Sequence, residues 1–535
     1  TLLALFVTIF FSKNIKFIGR ELYLIFSLLL IIFLSFSIKS FNWFDYPYYA
    51  GPINDLLHGK YLLHNIPSQY GFLSILFLSL PFHFLELNLF NLVLVNSVLV
   101  TVGFYLIFLL IQKVFSSRLM SLFTIISIIF FNYIVQIGTR GDFPQTNIFR
   151  FGPWIVLGLI ISLQELSSNI KLRRTFELIV LLLVAMSLFW ISDNGVYILM
   201  GYMFYSVFNN INQSMLDTIK NALAVLLKVS IAIVIVFLII IGFYKALDIP
   251  VNWNYYLSDP VYYLAGFGLM PFPQSNWPWI IIITYLITLV YLFTKKRFHD
   301  LSSQEKILSF ILFYGIFQFT YFMGRSHLSN LHHISIPFLI CLFYLLEKII
   351  KYLIKSGDLS WKIGGIISIS LALLIPYYFV FLQGLVNFKS NNLFTTLSIL
   401  KNKNSIQDTN LKRIIAENTI DQLKIKYSPY IKERGITLLS ADDTWYLSAL
   451  KTVNNIESNN LPYYVTDEGI ENLINTIFRR KEKYIFIGKM RSDDRRNVRP
   501  IYKVIYEEIS KKYKFKENLD TLEVWEYQDL KDSEI

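Results

Sequence analysis

The hydrophobic pattern of the chain is dominated by long apolar stretches that recur down to about residue 382. A helix needs about 20 mostly apolar residues to cross the hydrocarbon core of a bilayer, with a range of about 17–25. Several of the stretches are shorter than this and must extend into Tyr, Ser and Asn at the interface. The predicted spans lie at 22–38, 89–111, 119–137, 151–164, 177–191, 195–208, 222–243, 279–294, 307–323, 331–346 and 363–382.

Two further apolar segments fall outside this set. Residues 1–12 are predicted to be the end of another span, and we expect the start of the protein to lie upstream, because the chain opens at Thr1 with neither Met nor a signal-peptide pattern. Residues 71–85 contain Pro81, and a polar stretch follows them, so they are predicted to form an interfacial or re-entrant helix. The expected fold class is an α-helical polytopic membrane protein with about 11–13 transmembrane helices.

The pattern changes from apolar to mixed-charge after residue 386. Short β-type runs at 436–440, 484–488 and 522–527 alternate with helical patterns at 466–480 and 500–512, which predicts a small α/β domain. Its glycines are isolated, so no phosphate-binding loop is indicated. We therefore predict two domains, a transmembrane domain at 1–386 and an exocytoplasmic α/β domain at 387–535.

Composition agrees with membrane insertion. The 535 residues are 54% hydrophobic and only 16% charged, with 47 Phe and 34 Tyr, whereas soluble domains are about 45–50% apolar and about 25% charged. The single cysteine, Cys341, excludes a disulfide framework, a cysteine zinc site and an iron–sulfur cluster.

The distribution of charge predicts the orientation. The loops at 13–21, 112–118, 165–175, 209–221, 295–306 and 347–362 carry 17 Lys and Arg and 7 acids, whereas the alternate loops carry 6 of each. Because Lys and Arg are retained on the cytoplasmic side, the first set is predicted to be cytoplasmic and the C-terminal domain to lie outside. The net charge of +12 is then a topology signal facing anionic lipid, and no nucleic-acid partner is expected.

The first outer loop holds the strongest candidate chemistry. Asp45 lies among aromatic residues directly after a span, where partial desolvation would raise the pKa of its carboxyl and suit it to act as a general base. The alternative is that Asp45 caps a juxtamembrane helix beside an aromatic belt. The same loop supplies the candidate substrate-binding residues Tyr48, Asp55, Gln69 and Tyr70.

The second outer loop places Asp142 between Arg140 and Arg150. Arginines in this setting can hold a phosphate while the acid orients an acceptor or a metal, although the same residues could form a self-neutralising turn. Asp193, on a very tight outer turn, is predicted to be a turn residue.

A third polar set, at 324–333, contains Arg325 and His327, which would suit an anionic headgroup such as a lipid phosphate. Zinc is the sharper alternative, but His327, His332 and His333 lack a recognised ligand spacing, so no metal site is predicted.

These residues resemble those of the GT-C superfamily, the polytopic membrane glycosyltransferases that use polyprenyl-phosphate sugars, such as protein mannosyltransferases and aminoarabinose transferases. The resemblance rests on Asp45 in a long first outer loop, a short helix after Tyr70-Gly71, Asp142 in the second outer loop, and an outer C-terminal domain. It covers most of the chain, although each motif is short.

The resemblance implies that Asp45 deprotonates or orients an acceptor hydroxyl for attack at the anomeric carbon with inversion, and that Asp142 contributes to acceptor or metal binding. Phe44 stands where several branches have a second acid, and the Trp-Trp-Asp signature of oligosaccharyltransferases is absent. The resemblance therefore fixes neither a metal requirement nor a protein acceptor: no cofactor is required, and a divalent cation remains an alternative.

The predicted function is transfer of a sugar from a polyprenyl-phosphate carrier to a glycan, lipid or protein acceptor on the outer face of a membrane, in contact with membrane lipids. The Ile, Asn and Lys richness points to a bacterial cytoplasmic membrane. Two alternatives stay open. One is a flippase for lipid-linked saccharides, which would favour ionisable residues at the bilayer midplane, and the other is a membrane-anchored binding or assembly protein of the cell envelope.

Overall fold

The structure is a computed structural model. It describes residues 47–66, 70–132, 144, 147–211, 214–257, 271–272, 276–298, 301–324, 326, 328–355, 417–440, 443–456, 467–489 and 498–528. The described residues form two compact units. The first unit draws on Leu94–Phe243 and Tyr262–Leu397, and the second on Phe41–Val93, Tyr244–Val261 and Ser398–Ile535. The predicted domain boundary at 386/387 lies outside the described residues and stays a prediction.

The chain begins, in its described part, with two short helices of the second unit. Helix α1 (Pro47–Leu57) is followed by α2 (Leu73–Ser79), which continues into a single 3-10 turn (Leu80–His83). The apolar helical segment Leu73–His83 is too short to be a candidate membrane span. This agrees with the prediction of a non-spanning helix at 71–85.

The described part of the first unit consists of helices. The first residues of α3, up to Val93, and the last residues of α9, from Tyr244, are assigned to the second unit. The helices are α3 (Leu89–Val114), α4 (Arg118–Asn132), α5 (Ile148–Phe151), α6 (Pro153–Leu166), α7 (Ile170–Trp190), α8 (Ser192–Asn209), α9 (Met215–Ala246), α10 (Asn276–Phe298), α11 (Ser303–Gly324), α12 (Leu328–His333) and α13 (Ser335–Lys355).

Four of the described helices are long and apolar enough to cross a membrane, at Leu89–Val114, Met215–Ala246, Pro278–Arg297 and Ser303–Gly324. Each coincides with a predicted span, and helices α4, α6, α7, α8 and α13 coincide with five more. The predicted spans 22–38 and 363–382 lie outside the described residues. The chain is thus an integral membrane protein whose first unit is built from apolar helices.

Glycines allow the close packing of α8 against its neighbours. A Cβ atom on Gly195 would lie 2.4 Å from the Cα of Leu188, at the tight turn from α7 into α8. A Cβ atom on Gly201 would lie 2.8 Å from the Cα of Tyr314 on α11. Because a backbone atom cannot move aside as a flexible side chain can, both positions require glycine for the observed helix separation.

Loops that were predicted to share one side of the membrane contact one another. Lys306 Nζ lies 2.9 Å from Glu165 Oε2, and Lys296 Nζ donates to the carbonyl oxygen of Asn209 over 2.9 Å. These contacts join three loops of the Lys- and Arg-rich set. They agree with the predicted grouping of loops, while the assignment of that side to the cytoplasm rests on the positive-inside rule.

The second unit adds an α/β sheet to α1 and α2. Its remaining elements are α14 (Glu417–Lys426), α15 (Ser428–Arg434), β1 (Leu438–Leu439), α16 (Asp443–Leu450), α17 (Asp467–Arg480), β2 (Tyr484–Gly488), α18 (Val498–Ile509), β3 (Tyr513–Leu519) and β4 (Leu522–Tyr527). The strand order is β1-β2-β4-β3. Strand β1 pairs with β2 in parallel, and the other two pairs are antiparallel.

Helices cover both faces of this sheet, as the alternation along β2 requires. Ile485 and Ile487 are fully buried and join a cluster with α17 and α18. Phe486 points to the opposite face and contacts the ring of Tyr427 at 5.2 Å between centroids. The predicted α/β domain is confirmed as an α/β sheet, with three of its predicted strands and both predicted helices present; β3 was not predicted, and β1 is shorter than expected.

Candidate functional site

The described residues contain four of the predicted site residues. Tyr48, Asp55 and Tyr70 belong to the second unit, and Arg150 belongs to the first. The remaining predicted site residues lie outside the described residues; they are Asp45, Gln69, Arg140, Asp142, Arg325 and His327.

Helix α1 starts two residues after Asp45. Pro47 occupies its first position, where the fixed φ of proline suits a helix and its missing N–H costs no hydrogen bond. The helix ends in a Schellman motif, in which Gly59 adopts a φ of +82°, its N–H donates to the Leu56 carbonyl, and the Lys60 N–H donates to the Asp55 carbonyl at 3.0 Å. This reversal brings the Lys60 side chain back toward α1.

The aromatic residues of the first loop are brought together. The rings of Tyr49 and Tyr70 stack with centroids 5.4 Å apart and an interplanar angle of 14°. Tyr48 meets the same Tyr70 ring edge-on at 5.8 Å. Gly71, with a φ of +86°, makes the turn that leads from this cluster into α2, as glycine does readily. Two candidate substrate-binding residues, Tyr48 and Tyr70, thus contact each other; their role in binding stays a prediction.

Asp55 is 1% exposed. Lys60 Nζ lies 3.3 Å from its Oδ2 and donates a second hydrogen bond of 3.0 Å to the carbonyl oxygen of Asn454. Asn54, the neighbour of Asp55 on α1, donates from Nδ2 to the carbonyl oxygen of Thr452 at 2.9 Å. The first loop and the segment after α16 are thus joined by charge-assisted and neutral hydrogen bonds within one unit.

Asp443, the first residue of α16, is also 1% exposed. Its Oδ1 accepts a 2.6 Å hydrogen bond from the Thr444 N–H. Burial raises the pKa of the Asp443 carboxyl well above its usual range, and the nearby charge of Asp55 raises it further, while the hydrogen bonds from Thr444 and Asn454 act in the opposite direction.

Asn454 links this cluster to the sheet. Its side chain accepts from the Leu438 N–H at 3.1 Å and donates to the Leu438 carbonyl at 2.7 Å. The amide therefore satisfies both backbone groups of a β1 residue, as a paired strand would. No sequence signal indicated this role, because an asparagine in a loop is common turn chemistry.

In the first unit, Arg150 lies on the short helix α5 and is 7% exposed. Its Nη2 forms an ion pair with Oδ2 of Asp193, and its guanidinium carbon lies 4.9 Å above the centroid of the Tyr321 ring. The guanidinium is held by a carboxylate and an aromatic face together. Asp193 was predicted only as a turn residue; the structure shows that it also neutralises a buried cation.

The residue after Asp193 reinforces the same contact. Asn194 is fully buried; its Nδ2 donates to the Arg150 carbonyl oxygen at 3.0 Å, and its Oδ1 accepts from the Tyr314 hydroxyl at 2.8 Å. Asn147 caps α5 by accepting from the Phe149 N–H at 2.7 Å. The sequence did contain a signal for the ion pair between Arg150 and Asp193. The two residues carry opposite charges and were both predicted to lie in outer loops.

His332 bonds to the end of α4 through both its ring and its backbone. The Nδ1 of His332 lies 3.1 Å from the Phe131 carbonyl oxygen, and the His332 carbonyl accepts from the Asn132 amide at 2.7 Å. Within the described residues, no three His, Cys, Asp or Glu side chains are grouped so as to hold a metal ion. Cys341 is a free, buried thiol.

No protein-family model matches the sequence, and no curated protein matches it by sequence. Solved structures match it in fold. The crystal structure of ArnT from Cupriavidus metallidurans bound to undecaprenyl phosphate matches over 95% of this chain and 98% of that chain, with a TM-score of 0.50 and 10% sequence identity.

A second match is the archaeal oligosaccharyltransferase AglB from Archaeoglobus fulgidus, in complex with an inhibitory peptide and a dolichol-phosphate. It covers 94% of this chain and 74% of that chain, with a TM-score of 0.50 and 11% identity. Both are glycosyltransferases of the GT-C superfamily. The chain therefore has the GT-C fold, which confirms the fold that the sequence resemblance implied.

Proposed function

We propose that the chain is a membrane glycosyltransferase that moves a sugar from a polyprenyl-phosphate carrier to an acceptor at the noncytoplasmic surface. The observation that carries the proposal is the fold match to ArnT, which extends over nearly the whole of both chains. ArnT in that structure binds undecaprenyl phosphate and AglB binds dolichol-phosphate, so the proposed donor belongs to the same class of lipid.

The proposed chemistry is a single displacement at the anomeric carbon. The acceptor hydroxyl oxygen forms the new glycosidic bond, the bond from the anomeric carbon to the phosphate oxygen breaks, and the carrier leaves as a polyprenyl phosphate. Asp45 takes the hydroxyl proton as general base, and the displacement inverts the configuration. Asp142 is proposed to orient the acceptor.

The described part of the first loop supports this role for Asp45 by the way in which it is anchored. Helix α1, which begins two residues later, is fixed through Asn54 and Lys60 to the carbonyl oxygens of Thr452 and Asn454. A general base needs a fixed position relative to the proton that it abstracts, within hydrogen-bond reach. The stacked ring of Tyr70 lies next to the same helix.

Arginine is proposed to stabilise the charge that develops on the leaving phosphate. Arg150 is already engaged by Asp193 and Tyr321, so it would reach a phosphate only by exchanging the carboxylate for it. We therefore assign the direct phosphate contact to Arg325 and Arg140 and a supporting position to Arg150. Replacing Arg325 with Ala should raise the apparent donor KM.

The test is incubation of the purified full chain with a panel of polyprenyl-phosphate sugars, with and without EDTA, and measurement of the released polyprenyl phosphate. Wild-type protein should release it, and Asp45→Asn should release none while keeping its thermal midpoint. Asp248→Asn is the matched control, because Asp248 is exposed in another predicted outer loop and its positive φ of 56° suits Asn equally well.

Wild-type turnover in Asp45→Asn would remove Asp45 from the mechanism. Inertness of the wild-type protein toward every donor, combined with vectorial movement of the lipid in liposomes, would replace the proposal with a flippase.

A further inference from the structure

Two carboxyl groups are buried where α1 meets the segment at 443–454, which begins with α16. Asp55 and Asp443 are each 1% exposed, and the charge of one acts on the other. The Nζ of Lys60 lies 3.3 Å from Oδ2 of Asp55, whereas Asp443 forms no ion pair with a Lys or Arg among the described residues. Helix α16 packs against α1, which keeps the two carboxyl groups away from water.

An ionised Asp443 would be a buried carboxylate without an ion pair among the described residues, next to the charge of Asp55. Such a charge is expensive in a medium of low dielectric constant, and a protein relieves it by binding a proton. Asp55 has the direct ion pair with Lys60, whereas Asp443 is held by the N–H of Thr444 and the amide of Asn454. The proton therefore belongs on Asp443.

The other charged side chains and histidines that the structure describes on the elements packed against α16, or close to their ends, are exposed to solvent. They are Asp421, Lys424 and Lys426 on α14, which also packs against α16, His58 after α1, and Lys451 after α16 itself. Their fields are screened by water and salt. The charge state of Asp443 is thus governed mainly by burial, by the hydrogen bond from the Thr444 N–H and by the charge of Asp55.

We propose that Asp55, Lys60 and Asp443 form a proton-dependent latch that holds α1, and with it the loop bearing Asp45, against the C-terminal part of the second unit. With Asp443 protonated the latch is closed. When Asp443 loses its proton, the two carboxylates repel and α1 is released from α16. Asp443 is in this sense a positioning residue, and its effect on transfer rests on the proposed function.

The direction of the pH dependence follows from linkage. A carboxyl whose pKa is raised on folding contributes stability that is fully present below the unfolded pKa of about 3.9 and that falls as pH rises toward the folded pKa. Because opening is coupled to the loss of one proton, the ratio of closed to open latch falls about tenfold for each pH unit between those two pKa values. A permanently neutral side chain at position 443 should remove this loss.

The experiment compares Asp443→Asn with wild type in detergent, by thermal midpoint at a series of pH values from 4 to 9. The thermal midpoint of Asp443→Asn should rise relative to that of wild type as pH rises, because Asn resembles the protonated acid in shape and cannot ionise. Asp421→Asn, at an exposed position of α14, is the matched control and should show a constant difference. A constant difference for Asp443→Asn would overturn the latch.

Asp55→Asn provides a second arm if Asp443→Asn fails to accumulate. Removing the Asp55 charge removes the repulsion that raises the pKa of Asp443, so the loss of stability with rising pH should become shallower than in wild type. An unchanged slope would also overturn the latch. Because midpoints require no substrate, this result is independent of transferase activity.

Release of polyprenyl phosphate is measured on the same proteins. If the latch positions Asp45, kcat of wild type should fall at high pH more steeply than kcat of Asp443→Asn, with a similar donor KM. Identical kcat profiles, combined with the expected midpoints, would leave the latch without a part in transfer, whereas inactivity of every variant including wild type would count against the proposed function.

Discussion

Replacing Lys60 with Met removes the ammonium group that joins Asp55 to Asn454 and keeps most of the side-chain volume. In wild type, Nζ contacts the Asp55 carboxylate at 3.3 Å and the Asn454 carbonyl oxygen at 3.0 Å. The Asp55 side chain is 2% exposed and that of Lys60 is 18% exposed. The variant therefore leaves a carboxylate in a site that water reaches poorly, next to a second acid.

The size of the loss follows from that burial. Removing one partner of a fully buried ion pair costs about 3–5 kcal/mol, because the other charge stays buried without compensation. Lys60 is partly reached by solvent, so we expect Lys60→Met to lower the free energy of unfolding by about 2–4 kcal/mol. The double variant Lys60→Met/Asp55→Asn carries no orphaned charge at this pair and should recover a large part of that loss.

A double-mutant cycle in detergent, with reversible chemical unfolding followed by tryptophan fluorescence, measures this coupling. Trp445 on α16 is 3% exposed and reports on the segment that Lys60 contacts. Strict additivity of the two single substitutions would refute the reasoning, because it would mean that Asp55 and Lys60 do not interact in the folded protein.

Two further substitutions test the packing of the first unit by thermal midpoint. Asn194→Ala should lower the free energy of unfolding by about 1–3 kcal/mol, because it removes the amide that bonds both the Arg150 carbonyl and the Tyr314 hydroxyl. An unchanged thermal midpoint would show that water replaces the amide. Gly201→Ala should cost about 1–3 kcal/mol through overpacking, because its Cβ would meet the Tyr314 backbone. Gly242→Ala on α9, where the described structure leaves open space, is its control and should be neutral or slightly stabilising, so equal losses at the two positions would refute the packing explanation.

The sequence predicted the helices well because bilayer thickness imposes a length on each apolar run. Helix α3 begins at Leu89, where its apolar run begins. The short outer turn before α8 falls where the apolar run of α7 ends. In the α/β part, β2 and β4 were predicted at their observed bounds, since their alternation has the strand period of two. Strand β3 was missed because Lys514, Lys516 and Glu517 interrupt its apolar positions, as suits an edge strand with one open side.

The site was less predictable, because its partners are distant in sequence. Tyr48 and Tyr70 lie in one loop and were both named as candidates, although their contact was not predicted. The pairing of Arg150 with Asp193 depends on which helix ends are neighbours, and the approach of Asp443 to Asp55 depends on tertiary packing. Hydrophobic periodicity carries no information on either.

The hydrogen bond from Asn54 to Thr452 joins residues 398 positions apart, and this separation sets an order of events during synthesis. At about 5–20 residues per second, a ribosome needs roughly 20–80 s to pass from one partner to the other. Throughout that interval Asn54 and Lys60 lack the carbonyl oxygens of Thr452 and Asn454 to which they bond in the folded protein. Helix α1 is therefore completed by a segment made long after it, so a ribosome that stops between the two would leave the helices of the first unit synthesised and α1 without its partner from 452–454.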